Sequence, residues 1–269
     1  MVIGKKISFM TANFVAKTIG YILEPDWLKG EWGKGAETTR NLFQSDAFEE
    51  EFNKMLKIIS DAGFRIIELW TGHLDYRSSQ KQIQKARQIL DKYRVSVCSY
   101  AGGLGNSEEE FKKSFQIADT IGAKILAGNI RENLLFKAYQ LCQKYGIRFA
   151  VENHRGVETP EKIQKIIGNK KEWFGATVDT GWFATFNINP AEAIRKLGKS
   201  VFHVHLKDIT EAGKHVSCTL GDGIVDIPGV IQALKEVDYN GYLSIEHEPG
   251  DHDPVEEVKE SLHRVQSWL

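Results

Sequence analysis

The stretch "RFAVENHRGVETPEKIQKIIGNKKEWFGATVDT", residues 148–180, decides the fold. Two runs rich in β-branched and aromatic residues bound it, "RFAVEN" (148–153) and "GATVDT" (175–180), and both read as strands. Between them, Thr159 precedes Pro160, a good N-cap before a proline at the first helical position. A strand, a helix and a strand imply parallel pairing, because a parallel neighbour needs a crossover. Each strand also closes on a carboxylate, Glu152 and Asp179, although the run leading to it is built for burial.

The same unit recurs along the chain. Further strands are predicted at "KISFMTANFV" (6–15), "RIIELW" (65–70), "VSVCSY" (95–100), "KILAGN" (124–129), "SVFHVHLK" (200–207) and "YLSIEH" (242–247), eight in all. Phe48, Phe52, Met55, Leu56 and Ile59 recur at helical spacing within 46–62, as do Val255, Val258, Leu262, Val265 and Trp268 within 254–268. Ser107 and Glu110 form a capping-box pattern, and Asn189-Pro190 and Asp253-Pro254 repeat the cap-then-proline start. Eight such units in 269 residues predict an α/β chain folded as a (β/α)8 TIM barrel, a single domain over 1–269. A doubly wound sheet fits less well, since "TANFVAK" after the first strand is not a glycine-rich nucleotide turn.

Bulk properties narrow the partners. Lys+Arg number 35 and Asp+Glu 36, a net charge of -1 that draws the chain neither to nucleic acid nor to a membrane surface. Cys98, Cys142 and Cys218 are odd in number and contain no CxxC, which favours a reducing compartment. The N-terminal "MVIGKKISFMTANFV" lacks a signal-peptide apolar region, and no run approaches the roughly 18 apolar residues of a membrane helix. The expectation is a cytoplasmic protein, with homo-oligomerisation left open. Two long connections, 20–45 and 208–226, follow strands one and seven, on the barrel face where long loops carry function.

The chemistry gathers on the last four strands. They carry Glu152, Asp179, His205 and Glu246, each inside an apolar run. In a barrel these side chains converge. Three carboxylates in one low-dielectric pocket would repel one another and take up protons unless compensated. A divalent cation resolves the conflict, and three oxygens with one imidazole suit Mn²⁺ first, with Mg²⁺, Co²⁺ or Zn²⁺ as alternatives. Separate polar strand ends facing solvent, or a salt-bridge layer, would be the bland explanation. Four such residues in successive strands favour the metal.

The strings "VENH", "VDTGWF", "HVHLKD", "LGDGIVDI" and "SIEHE" resemble the xylose isomerase-like barrel superfamily. More narrowly, they resemble its sugar phosphate isomerase/epimerase group, which includes ketose 3-epimerases, inosose dehydratase and hydroxypyruvate isomerase. The resemblance implies that Glu152, Asp179, His205 and Glu246 hold one divalent metal, and that Glu152 and Glu246 act as acid and base. It implies an isomerase or epimerase of a small sugar, sugar phosphate or polyol, moving a proton through a metal-stabilised enediolate. A keto-polyol dehydratase is the alternative. A non-catalytic sugar-binding module, and an abasic-site endonuclease with extra histidines and a basic surface, are more distant ones.

Four residues are candidates for substrate binding. His154 should share the side of its strand with Glu152, and Lys207 that of His205. Asp208 is expected to orient Lys207. His73 follows strand two and would face the pocket mouth. Trp182 stands where the family usually has a histidine three residues after the strand-six aspartate, and Glu211 where epimerases place an arginine. Trp182 thus predicts a substrate edge that is less polar, or stacked. Gly181 is expected to permit the close turn before it. Glu68 reads as a support for the site or a structural ion pair, and Glu158 as a helix N-terminal acid. Trp27 and Trp32 read as a lid or as loop packing, and "AGGLG" (101–105) as a turn before it is a phosphate cradle.

Overall fold

Eight parallel strands close on themselves in a computed structural model that describes residues 6–269. They are β1 (Ile7–Met10), β2 (Ile66–Trp70), β3 (Ser96–Ala101), β4 (Ile125–Gly128), β5 (Arg148–Glu152), β6 (Phe174–Asp179), β7 (Val201–Leu206) and β10 (Leu243–Ile245). A short antiparallel ribbon, β8 (Asp208–Ile209) with β9 (Ser217–Cys218), lies in the connection after β7. The barrel order is β1-β10-β7-β6-β5-β4-β3-β2, so each strand neighbours its sequence neighbours and β10 closes the ring on β1. Residues 1–5, part of the N-terminal stretch read above, lie outside the described residues.

Helices cover the outside. They are α1 (Trp32–Gln44), α2 (Phe48–Asp61), α3 (Gln80–Tyr93), α4 (Glu108–Ile121), α5 (Leu135–Tyr145), α6 (Pro160–Ile167), α7 (Thr180–Thr185), α8 (Pro190–Leu197), α9 (Ile227–Glu236) and α10 (Val255–Trp268). The caps explain several starts. Ser107 and Glu110 complete a capping box on α4, while Thr159 caps α6 and Asn189 caps α8, each before a proline. The main core lies between sheet and helices. There Phe52, Leu56 and Ile59 of α2 meet Phe9 and Ile67 of the strands, all fully buried. No helix among the described residues is long and apolar enough to cross a membrane.

Three local expectations need correction. Strand one ends at Met10, and Thr11–Phe14 form a 3-10 turn whose Thr11 hydroxyl accepts the Trp70 N–H at 2.8 Å. The first long connection is half helix, because α1 starts inside it. Asp253 does not cap α10: Pro254 holds that position, and Asp253 accepts the Val255 N–H from outside at 3.1 Å.

Register positions the site. Asp179 lies opposite His205, and His205 opposite Ser244, so β6, β7 and β10 end level with one another. Irregularities between Ile67 and Glu68 and between Ala176 and Thr177 re-aim the residues that follow. Glu68 and Asp179 both come after such a shift.

Candidate functional site

Asp179 is held by its own backbone. Asn153 accepts the Asp179 N–H at 2.7 Å and donates to its carbonyl at 2.8 Å, which joins the ends of β5 and β6. One carboxylate oxygen, Oδ1, accepts the Trp182 N–H at 2.9 Å and caps α7. The other, Oδ2, is buried with no hydrogen-bond partner. Gly181 serves a purpose other than the turn: a Cβ there would sit 2.7 Å from Lys207 Cγ, so glycine makes room for the lysine.

The structure brings Glu152, Asp179, His205 and Glu246 together, one ligand atom of each lying within 4.8 Å of the others. His205 Nδ1 is 2.8 Å from Glu246 Oε2 and 3.4 Å from Glu152 Oε1. Its other nitrogen, Nε2, is 3.0 Å from Glu68 Oε2, which is also 2.7 Å from His203 Nε2. Glu68 is therefore a buried support that orients His205 from behind, as carboxylates orient metal-binding imidazoles. Asp179 Oδ2 is buried with no hydrogen-bond partner, and the buried Glu246 Oε2 and His205 Nδ1 meet chiefly each other. Such groups are costly unless something meets them, and a cation is the species that fits this donor set.

One cation is built into the chain itself. The Lys207 ammonium, 1% exposed, lies 3.1 Å from Glu246 Oε1, 2.9 Å from Glu248 Oε2 and 3.5 Å from Asp179 Oδ2. Its backbone is fixed by Thr180, whose hydroxyl accepts the Lys207 N–H at 2.9 Å and donates to its carbonyl at 2.6 Å. Burial pushes Asp179 up to about 7, against the pull of Lys207 and with repulsion from Glu246 added. Burial pushes Glu248 up to about 7 in the same way. Burial also acts to raise Glu246, but Lys207 and His205 more than reverse this and hold it well below the usual carboxylate range. Lys207 stays protonated far above its ordinary value despite burial, because Glu246, Glu248 and Asp179 surround it.

Several of these groups line a cavity of about 760 Å³. Glu152, His154, Trp182, Lys207, Glu246 and Glu248 all line it. Its walls are aromatic. The Trp182 ring stacks on His215 at 3.9 Å, and Trp27 meets it edge-on at 5.3 Å. The His154 ring lies 4.2 Å from that of Trp182. Trp27 and Trp32 stack at 6.4 Å and both line the cavity. The loop carrying Trp27 is tied to the loop after β7: Asp26 accepts the His215 N–H at 3.1 Å, and the Trp27 N–H reaches the His215 carbonyl at 3.1 Å. Arg40, Arg77 and Arg131, with the "AGGLG" turn, line the far side.

Other sequence candidates go elsewhere. His73 is buried outside the cavity, its Nδ1 3.1 Å from the Thr11 hydroxyl and its ring 4.6 Å from that of Phe43. Burial alone takes it down to about 3, so it is a neutral packing residue. Asp208 does not orient Lys207; its carboxylate collects the N–H groups of Ile209, Gly221, Gly223 and Val225, all at 2.9 Å. Glu158 pairs with Lys162 and accepts the Gly156 N–H at 2.6 Å, a local role at the start of α6. Glu211, at the position of the expected arginine, is exposed and pairs with Lys214 at 2.6 Å. Sequence reading missed Glu248, His203 and His215. The first two were reachable, since residues two apart share a strand face: His203 with His205, and Glu248 with Glu246 where the extended chain continues. His215 lies far along a loop and gave no such signal.

The closed eight-stranded parallel barrel places the chain in the class of TIM barrels. The chain belongs to the xylose isomerase-like TIM barrel family, whose model matches residues 56–268. An inosose dehydratase of Clostridium botulinum is 30% identical over 151 residues, 48% of this chain and 50% of that protein. The chain thus spans about half the length of the first curated relatives it matches. Among solved structures, a xylose isomerase-like barrel protein of Mycobacterium smegmatis in complex with magnesium has a TM-score of 0.74 at 15% identity, over 100% of this chain and 98% of that one. The 3-keto-D-glucoside 4-epimerase of E. coli has a TM-score of 0.66 at 16% identity, over 81% and 95%. At such identities these structures attest the fold.

Proposed function

We propose that the protein is a divalent-metal-dependent isomerase or epimerase of a small sugar, sugar phosphate or polyol, acting by proton transfer at a carbon beside a carbonyl. The observation that carries this reading is the convergence of Glu152, Asp179, His205 and Glu246 beside a cavity that Glu152 and Glu246 line, with Asp179 Oδ2 buried and lacking a hydrogen-bond partner. A divalent cation bound there would polarise carbonyl and hydroxyl oxygens as a Lewis acid and so acidify the neighbouring C–H. Everything else is done by the chain. Glu246, kept ionised by Lys207 and His205, takes the proton. Glu152, three strands away around the ring, delivers one from another direction. Lys207 and His154 hold substrate hydroxyls, and Trp182 offers an apolar face to the C–H side of the sugar.

A second reading, dehydration of a keto-polyol, is favoured by the inosose dehydratase relatives and by the Lys207 ammonium, a donor placed to protonate a departing hydroxyl. Proton abstraction is common to both. Thermal melting of chelator-stripped protein tests the metal: adding Mn²⁺ should raise the melting temperature, and Asp179→Asn should abolish the rise. A stripped wild-type protein indifferent to Mn²⁺ and Co²⁺ would sink the proposal.

The buried groups also set a pH dependence. Asp179 must be ionised to bind a cation, and its folded value lies near 7. His205 must free Nδ1, although Glu68 and Glu246, outweighing burial, hold it protonated well above its ordinary range. Both requirements have one sign: protons leave as metal enters, so affinity rises with pH. Calorimetric titration with Mn²⁺ should show tighter binding at pH 8 than at pH 6, with proton release in proportion. Affinity that is flat or falls over this interval would contradict the assignment of these two ligands.

Trp182 can be tested apart from the metal. Trp182→His shrinks a ring packed against His215, Trp27 and His154, and should cost about 2 kcal/mol of stability. It should also shift the ranking of ketoses in a substrate screen while leaving the Mn²⁺ dissociation constant within about twofold, because the Trp182 hydrogen bond to Asp179 is made by its backbone N–H. Lost metal binding with an unchanged substrate ranking would make Trp182 a packing residue only.

A further inference from the structure

On the outer side of the β10–α10 connection, three metal-ligating side chains meet away from the barrel floor. His247 Nε2 lies 2.5 Å, and His252 Nε2 2.7 Å, from the same oxygen of Glu257, Oε2. One ligand atom of each of the three lies within 4.8 Å of the others. We propose that His247, His252 and Glu257 form a second metal site, for a borderline divalent ion of the Zn²⁺ class, distinct from the barrel cluster.

The surroundings support a metal over a plain ion pair. Two imidazole nitrogens directed at one carboxylate oxygen must both carry protons there when no metal is bound. One divalent ion replaces both protons and pairs with the Glu257 charge. The outward nitrogens have partners that suit this exchange. His252 Nδ1 is 2.7 Å from Asp251 Oδ1, so its proton can reside on that side and free Nε2, the carboxylate–imidazole arrangement common behind bound zinc. His247 Nδ1 is 3.0 Å from Ser217 Oγ, an oxygen with lone pairs for a second donor besides the Glu248 N–H at 3.0 Å. Zinc–ligand distances of about 2.0–2.2 Å separate tetrahedral ligand atoms by about 3.3 Å. Glu257 must therefore draw back by less than about 1 Å, which its 40% exposure on the first turn of α10 allows. Water would take the fourth position.

The ion would link three segments. His247 is anchored, 1% exposed, with its N–H on Asn13 Oδ1 at 2.9 Å; His252 lies in the loop beyond it, and Glu257 on the helix. Such a clamp would brace the short stretch that carries Glu246 and Glu248 into the cavity.

Equilibrium dialysis of the full-length protein against Zn²⁺, followed by elemental analysis, tests the site. The wild type should bind two equivalents, and His252→Ala and Glu257→Gln should each bind one. Both substitutions fall on half-exposed side chains, so folding is preserved and can be checked by circular dichroism. If the wild type binds a single equivalent that both variants lose, the second site stands and the barrel reading fails. If both variants bind as much zinc as the wild type, or if the wild type binds none, the site does not exist.

Discussion

Glu246→Gln is expected to lower kcat by about 10²–10⁴-fold at saturating metal, the usual worth of a positioned general base. The substitution keeps the shape of the side chain and removes its charge. That charge is what the surrounding structure prepares: Lys207 lies 3.1 Å from Oε1 and His205 2.8 Å from Oε2, and together they keep the group ionised inside the barrel. A glutamine accepts a hydrogen bond from Lys207 but takes no proton from carbon. Metal binding should weaken too, so rates must be compared with each protein saturated in Mn²⁺. A variant that binds metal and retains more than about a tenth of wild-type kcat would remove Glu246 from the proton transfer.

Lys207→Met carries the second large effect, on stability. The ammonium is buried among Asp179, Glu246 and Glu248, and its removal leaves carboxylates facing one another without a counter-charge. Breaking a buried pair from one side costs about 3–5 kcal/mol, part of which the carboxylates recover by taking up protons. The loss should be largest in metal-free protein at pH 8, where Asp179 and Glu248, both near 7 in the wild type, would otherwise be ionised. Lowering the pH to 6 should shrink the difference between variant and wild type, because protonated carboxyls no longer repel. Mn²⁺ should shrink it as well. Urea unfolding with and without Mn²⁺ at the two pH values reads all of this. A difference below about 1 kcal/mol in metal-free protein at pH 8 would show that Lys207 is not the counter-ion of the cluster.

How far the sequence reveals this arrangement depends on periodicity. The barrel is legible because its strands are short apolar runs separated by helices with recognisable caps, such as Thr159-Pro160 and Asn189-Pro190. The cluster is legible because Glu152, Asp179, His205 and Glu246 interrupt those runs at equivalent ends. Helix α1 is hidden: its sequence, "WGKGAETTRNLFQ", has two glycines near its start and few apolar residues, and it is held by packing against Val15, Ile19 and Leu23. His73 misleads because a histidine after a barrel strand resembles a site residue, yet the turn at Thr11 draws it into packing with Phe43. His215 is invisible because tertiary contacts place it: bonds to Asp26, Trp27 and Thr185 and the stacking on Trp182. The link from Glu68 to His203 and His205 spans 135 residues to the nearer of them, and nothing local announces it.

Trp182 also reads differently with its neighbours in view. As a sequence feature it replaces a family histidine with an apolar ring. In the fold it is the centre of an aromatic wall: Trp27 arrives from the loop after β1, His215 from the loop after β7, and Phe186 stacks behind it at 5.6 Å. Packing and cavity wall are thus one role, and a substitution there should disturb both.

Solvent exchange at carbon tests the central claim most directly. Ketoses, inososes and their phosphates would be incubated with Mn²⁺-loaded protein in D₂O and followed by proton NMR. The account predicts that at least one compound takes up deuterium at the carbon beside its carbonyl, that a chelator stops the uptake, and that Glu246→Gln protein shows about 10²-fold less or lower still. Turnover of a substrate with no deuterium entering product, or uptake that persists unchanged after the metal is removed, would contradict it.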